Sequence, residues 1–161
     1  APMSRPLRIA LWALIVSLAL GVLVVAGLML PLAAFQAAES YPEYAYLAWP
    51  FLLSFWAACA AALVVLGVAA RLVGLAASGQ LLSRATQGPL AVAIGGFGAM
   101  AVVFLGLNGV LTFVVGQNHP SVFLALLGLG LICLTAALAL VAAKGQVARA
   151  SALADEVEAF V

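Results

Sequence analysis

The sequence predicts an all-α integral membrane protein. The expected architecture is a bundle of four transmembrane helices with both termini cytoplasmic and a cytoplasmic amphipathic helix at the C-terminal end. Three observations carry this. Of the 161 residues 7% are charged and 68% apolar, and the mean hydropathy is +1.30. Soluble domains carry about 25% charged residues, and so few charges cannot tile a water-facing surface. Apolar runs at residues 9–30, 47–70, 90–115 and 122–143 contain no Asp, Glu, Lys or Arg. Each is long enough to cross about 30 Å of hydrocarbon at about 1.5 Å per residue. Finally, all 6 Lys and Arg fall on one side of those runs.

That asymmetry sets the direction. Arg5 and Arg8 precede the first run, Arg71 and Arg84 join the second to the third, and Lys144 and Arg149 follow the fourth. The positive-inside rule makes this side cytoplasmic. The first run is too long for a signal-peptide core and reads as a retained span. The Ala, Gly, Val and Leu bias, with Arg preferred to Lys, points to a GC-rich bacterial genome, so the expected location is the bacterial plasma membrane.

The opposite side holds Glu39, Glu43 and His119. Its first loop, residues 31–46, contains most of the stretch ESYPEYAYLAWP. Tyr41, Tyr44, Tyr46 and Trp49 fall where aromatic rings sit at a membrane interface, body in lipid and polar tip in water. Pro42 and Pro50 each remove a backbone donor, and Pro50 belongs near the first turn of the second helix. Two readings of this stretch stand: an aromatic belt on a shaped loop, or a docking surface or lid over a cleft between helices.

The inner loop, residues 71–89, carries Gly74, Gly79 and Gly88, with Ser83 as a cap for a helical lead into the third span. The short link GQNHP, residues 116–120, predicts a tight antiparallel hairpin, with Asn118 as helix cap and Pro120 in the first turn. The tail, residues 144–161, spaces Val147, Ala150, Ala154, Val157 and Val161 by three and four, one helical stripe. Asp155, Glu156 and Glu158 make its end acidic. The stripe is expected to pack on the inner loop, on a second copy, or on a partner.

Helices in lipid associate through close packing of small residues and through interhelical hydrogen bonds. Candidate seams are Ala91, Gly95 and Ala99 beside Gly96 and Gly98 in the third span, Ala57, Ala58, Ala61 and Ala62 in the second, and Gly128 and Gly130 in the fourth. Asn108 is the most polar side chain in any span, and Thr112 lies one turn on along the same face. Interhelical glue is the expected use, and a substrate path the sharper one. Trp56, Cys59 and Ser54 read as packing.

Much chemistry lacks its residues. One histidine cannot supply bis-histidine haem, no acid lies in any span for a di-iron site, and Cys59 and Cys133 show neither redox nor metal spacing. Uniting His119 with Asp155 in a catalytic triad would place partners across the membrane. No enzyme, no metal, no cofactor and no direct nucleic-acid contact is expected.

The chain resembles the bacterial family known as domain of unknown function 2975, small four-span membrane proteins. The resemblance rests on Pro31, Pro42, Glu43, Ala45, Tyr46, Leu47 and Pro50 on the outer side. Gly79 and Ser83 before the third span, and Leu153, Asp155, Glu156 and Val157 in the tail, extend it. Ala48 stands where many members carry arginine, and Leu82 where an aromatic is common. The resemblance implies a cytoplasmic partner, a small helix-turn-helix regulator. The functional expectation is thus a non-enzymatic membrane protein acting by contact, regulatory or accessory, alone or as a homo-oligomer or part of a larger membrane complex. The alternative is a transporter or channel subunit assembled around the third span.

Overall fold

The computed structural model describes residues 3–160, which form helices and short links with no strand among them. The first rod is built from α1 (Arg5–Val24), a π-helical turn (Val25–Met29) and α2 (Leu30–Ser40). It corrects the expected outer loop at residues 31–46: ten of those positions continue the helix, and the chain bends only at Tyr41. The reason lies in Pro31. Proline has no N–H to donate to the preceding turn. The chain meets this by slipping one register, so that Leu30 N–H donates to the carbonyl of Val25 rather than that of Ala26. Ala26 then loses its donor four residues on, and the residue five on is Pro31. Across the interface, the Trp56 indole N–H fills the gap, 2.7 Å from the Ala26 oxygen. A carbonyl left bare in an apolar setting costs several kcal/mol, roughly, so the bend-free helix depends on that side chain. Trp56, expected only to pack, also supplies a hydrogen bond.

After Tyr41, a 3-10 turn (Pro42–Leu47) leads directly into α3 (Ala48–Ala77), with Pro50 in its first turn. The helix runs on past residue 70, so Arg71 belongs to α3 and not to the expected inner loop. Val73 and Leu75 are buried, and this packing sustains the extra turns. Gly79 ends them at φ +76°. Gln80 N–H reaches the Leu75 carbonyl at 2.8 Å and Gly79 N–H the Ala76 carbonyl at 3.2 Å, the paired bonds of a Schellman cap. Ser83 caps the next turn as expected, its Oγ accepting from Ala85 N–H at 3.3 Å. A short 3-10 turn (Arg84–Thr86) then opens α4 (Gln87–Gly109), which widens into a π-helical turn (Val110–Val115) and stops at Gly116, φ +74°.

The last helix, α5 (Pro120–Ala159), is 40 residues long and passes through Gly145 without a break. Its cap is a further correction. His119, not Asn118, is the N-cap, and its Nδ1 accepts from Ser121 N–H at 3.2 Å. Asn118 is engaged elsewhere.

Four helical stretches, Arg5–Ser40, Pro42–Ala77, Arg84–Val115 and Pro120–Ala159, are thus long and apolar enough to cross a membrane. Each packs on its neighbour in sequence: α1 and α2 on α3, α3 on α4, α4 on α5, with no packed seam between the first rod and α5. The layer is open, whereas a four-helix bundle closes its first helix on its last. No residue of α1 or α2 is buried. The core lies instead where α3, α4 and α5 meet, around Ala58, Met100, Ala101 and Cys133.

Two glycines set the approach of these helices. A Cβ on Gly96 would stand 2.6 Å from Val65 Cγ2 on α3, and one on Gly130 would stand 2.5 Å from Leu105 on α4. The expected seam Ala91, Gly95 and Ala99 is exposed instead, and a Cβ on Gly95, Gly98 or Gly128 would meet no other helix within 4 Å. Small residues permit a close crossing, but which of them is used depends on where the neighbouring helix carries a fitting ridge.

Candidate functional site

The candidate residues gather at the two ends of the layer. At the tyrosine end, α2, α3 and the α4–α5 link enclose a cleft of about 440 Å³. Its walls are apolar, from Ala34 and Ala38 on α2 to Phe51 and Phe55 on α3 and Val122 on α5. Its polar rim is Tyr41, Tyr44 and Gln117. The unforeseen outward run of α2 raises one wall, and the 3-10 turn places Tyr44 in the lining. Tyr41 and Tyr44 therefore border a cleft. Tyr46 does not: it is 69% exposed and outside the lining.

Trp49 is exposed but holds its place by aromatic contact. Its ring meets Phe35 of α2 edge-on at 5.6 Å and Trp56 at 6.5 Å between centroids. These three rings tie the first rod to α3 beside the Trp56 hydrogen bond. Pro50 is exposed, and its carbonyl accepts from Ser54 Oγ at 2.8 Å. Pro42 starts the 3-10 turn, and Glu43 sits exposed in that turn.

Behind the rim lies a knot of neutral polar groups. Asn108 is buried. The Asn118 amide donates from Nδ2 to Asn108 Oδ1 at 2.8 Å and to Thr112 Oγ1 at 3.0 Å, and Thr112 Oγ1 donates to the Asn108 carbonyl at 2.8 Å. Asn108 and Thr112 were expected to bind another span. They hold their own hairpin link instead, because the π turn and Gly116 fold Asn118 back over the end of α4. The Asn118 Oδ1 is buried with no partner among the described residues. With amides and hydroxyls alone, the knot fixes the link but offers no acid or base. His119 sits at the exposed edge, its Nδ1 2.7 Å from Ser121 Oγ.

At the arginine end, the inner turn and α5 pack together. Thr86 is 2% exposed and donates to the Leu81 carbonyl at 2.6 Å. Gln87 Nε2 donates to the Lys144 carbonyl at 3.4 Å, Val147 and Ser151 are buried, and Arg84 forms an ion pair with Asp155. Past Asp155 the helix leaves this support. Val157 is 64% exposed, as are Leu153 at 62% and Phe160 at 91%, and Glu156 and Glu158 are exposed beside them. Of the expected stripe, then, Val147 and Ala150 face the protein and Ala154 and Val157 do not. Val161 lies outside the described residues.

Sequence reasoning passed over Thr86, Gln87, Ser151 and Arg84 as contact residues, and misassigned Asn118. Pro31 carries a partial signal, because a proline continuing a helix leaves a carbonyl needing a donor, but the sequence does not say that Trp56 supplies it. No group of His, Cys, Asp and Glu able to hold a metal ion occurs among the described residues.

Length and apolarity define an all-helical protein with four helices able to cross a membrane. Residues 32–161 match the model of the family described as "Protein of unknown function (DUF2975)", and the chain belongs to that family. No curated protein and no solved structure matches.

Proposed function

We propose that the chain is a non-enzymatic protein of the bacterial plasma membrane, with both termini cytoplasmic, that works by protein contact at its arginine end. The observation that carries this reading is the free end of α5. Leu153, Val157 and Phe160 recur at four and three residues, one apolar face, and stand exposed beside Glu156 and Glu158. An amphipathic face clear of its own protein fits a partner groove, and acids around it favour a basic partner and speed its approach. A small helix-turn-helix regulator, suggested by family resemblance, has that chemistry: its basic surface would meet the acids, so the protein itself touches no nucleic acid. The inner turn and Asp155 would act as the base on which the free end stands. A larger membrane complex presenting a basic cytoplasmic segment would satisfy the same face.

The test uses the full chain in membranes and a tagged small helix-turn-helix regulator from the same genome. Removal of residues 153–161 is expected to release the regulator into the soluble fraction, and Val157→Asp to weaken retention about tenfold, the loss of one well-buried apolar contact. Unchanged retention in both variants overturns the reading.

A second reading, a transporter or channel subunit assembled as a homo-oligomer around the third span, draws support from one feature. Ala91, Gly95 and Ala99 lie exposed on α4 at four-residue spacing, the pattern by which membrane helices approach closely. Gly95→Leu separates the two: it would break an oligomer and leave regulator retention intact.

A further inference from the structure

The cleft at the tyrosine end stands higher than the bilayer requires of an apolar surface. Leu30, Ala34, Ala38 and Tyr41 recur by four and three along α2 and all line it, so one helical face runs its length. Leu30 lies about 33 Å of helix beyond Arg8, and Phe51 about 30 Å before Arg71. The hydrocarbon that those arginines bound is itself about 30 Å thick, and a mean tilt of about 20° shortens a helix by little. The cleft therefore begins where hydrocarbon ends, and Tyr41 lies about 16 Å higher still. Its walls are nevertheless leucine, alanine and phenylalanine. Water is a poor occupant of such walls, because each molecule needs several polar partners. A volume of about 440 Å³ lies within the range of small-ligand sites, about 300–1,000 Å³. The ligand these walls suit has one apolar tail.

Charge sets the head that goes with it. Tyr41 and Tyr44 line the rim, while Glu39 and Glu43 stand exposed within two residues of them in the chain. All 6 Lys and Arg lie toward the other end, and His119 is the only nitrogen base at this one. An anionic head would meet two carboxylates and no Lys or Arg, so a phosphate is badly matched here. An ammonium head meets the opposite conditions. The carboxylates attract it, and the faces of phenol rings bind ammonium groups, quaternary ones included. Access needs no parting of packed helices, because no packed seam joins the first rod to α5.

We propose that the cleft is a binding site for a single-tailed cationic amphiphile. Its tail lies between α2 and Phe51 and Phe55 of α3, and its ammonium head sits at Tyr41 and Tyr44 in the field of Glu39 and Glu43. The tail points toward Leu30, so the ligand keeps the orientation of a lipid in the adjoining leaflet. The site rests on the membrane reading given above and not on the contact at the arginine end.

The test uses the whole protein in nanodiscs of zwitterionic phosphatidylcholine and three photoreactive probes. They share one dodecyl tail and carry a trimethylammonium, a hydroxyl or a sulfonate head. The ammonium probe is expected to label residues 30–55 saturably, the alcohol to need about tenfold more, and the sulfonate not to saturate. Ala38→Phe fills the cleft from its wall and is expected to abolish saturable labelling with helical content unchanged. Glu39→Gln with Glu43→Gln is expected to raise half-saturation about fivefold for the ammonium probe alone. A merely structural role would move the alcohol as well. Equal half-saturation for the three heads overturns the proposal, and so does full labelling in a folded Ala38→Phe; the head series decides without that variant. If alkaline carbonate extracts the chain from membranes, the membrane reading fails and takes the height argument with it. A chain that stays in the membrane and shows either overturning result defeats the cleft proposal alone.

Discussion

Gly96 and Gly98 are two residues apart on α4 and obey different rules. The first faces Val65, a β-branched side chain that cannot swing its methyl groups away; the second faces open space. Gly96→Ala is therefore expected to destabilise the fold by about 1–3 kcal/mol through overpacking. Gly98→Ala is expected to be neutral or to stabilise by up to about 1 kcal/mol, because alanine is the better helix former. Unfolding in mixed micelles gives both values, and adding Val65→Ala to Gly96→Ala is expected to recover most of the loss. Gly130→Ala tests the same logic against a softer neighbour: Leu105 has a second rotatable bond, so its loss is expected to be smaller than that of Gly96→Ala. The sequence listed all three glycines as candidates. It did not rank them, because contact depends on which residue the adjacent helix presents at that height.

At the scale of an element, the first rod shows how one proline reorganises a helix. Pro31 withholds a donor, the π turn shifts the ladder by one residue, and Trp56 completes the exposed carbonyl of Ala26. Trp56→Phe removes the donor and keeps the ring, and is expected to cost about 1–3 kcal/mol, the penalty of a polar group left bare. Trp12→Phe, on the exposed face of α1, is the control and is expected to cost little. Pro31→Ala restores the missing N–H, so in that background Trp56→Phe is expected to cost markedly less. The difference between the two backgrounds is a coupling energy that unfolding of the four variants measures, and additivity would refute the mechanism. This element also shows where sequence reading stopped. Residues 31–40 look like a loop because Pro31 opens them and Glu39, Tyr41 and Pro42 close them. Hydropathy ends with the membrane, but a helix ends where its backbone bonds end, and α2 and the last turns of α3 both outlast their apolar runs. The candidate site suffered in the same way. Tyr41 and Tyr44 are legible as aromatic exceptions, yet the wall that makes a cleft of them is the part of α2 that reads as loop.

Considered whole, the molecule is a layer of four rods in which the first leans on α3 alone. An isolated rod of leucine and valine gains little by leaving lipid for protein, so nothing drives it to close against α5. Besides the packing of α1 along α3, it is tied by Trp56, Trp49 and Phe35 on the half toward the tyrosine end. The direction of the layer is open to a direct test. Cysteines introduced at Glu43 and at Arg149, in a background with Cys59 and Cys133 replaced by alanine, are expected to react oppositely with a maleimide that cannot cross membranes. Position 43 is expected to label in intact cells and position 149 only after lysis. The reverse pattern would invert every assignment of inner and outer surface.

By itself the sequence determined that four stretches are long and apolar enough to cross a membrane and how the cations group between them, because each is a sum over local residues that no neighbour can alter. It also specified the long run of α5 through Gly145, where a helical stripe continues unbroken. Tertiary structure alone decided that the layer stays open, that Gly96 and Gly130 are the close crossings, that Asn118 ties a link while His119 caps, and that a cleft exists. Those outcomes turn on single donors and single methyl groups meeting across helices far apart in the chain. In lipid, where apolar burial is nearly neutral, such contacts are what choose one arrangement over another.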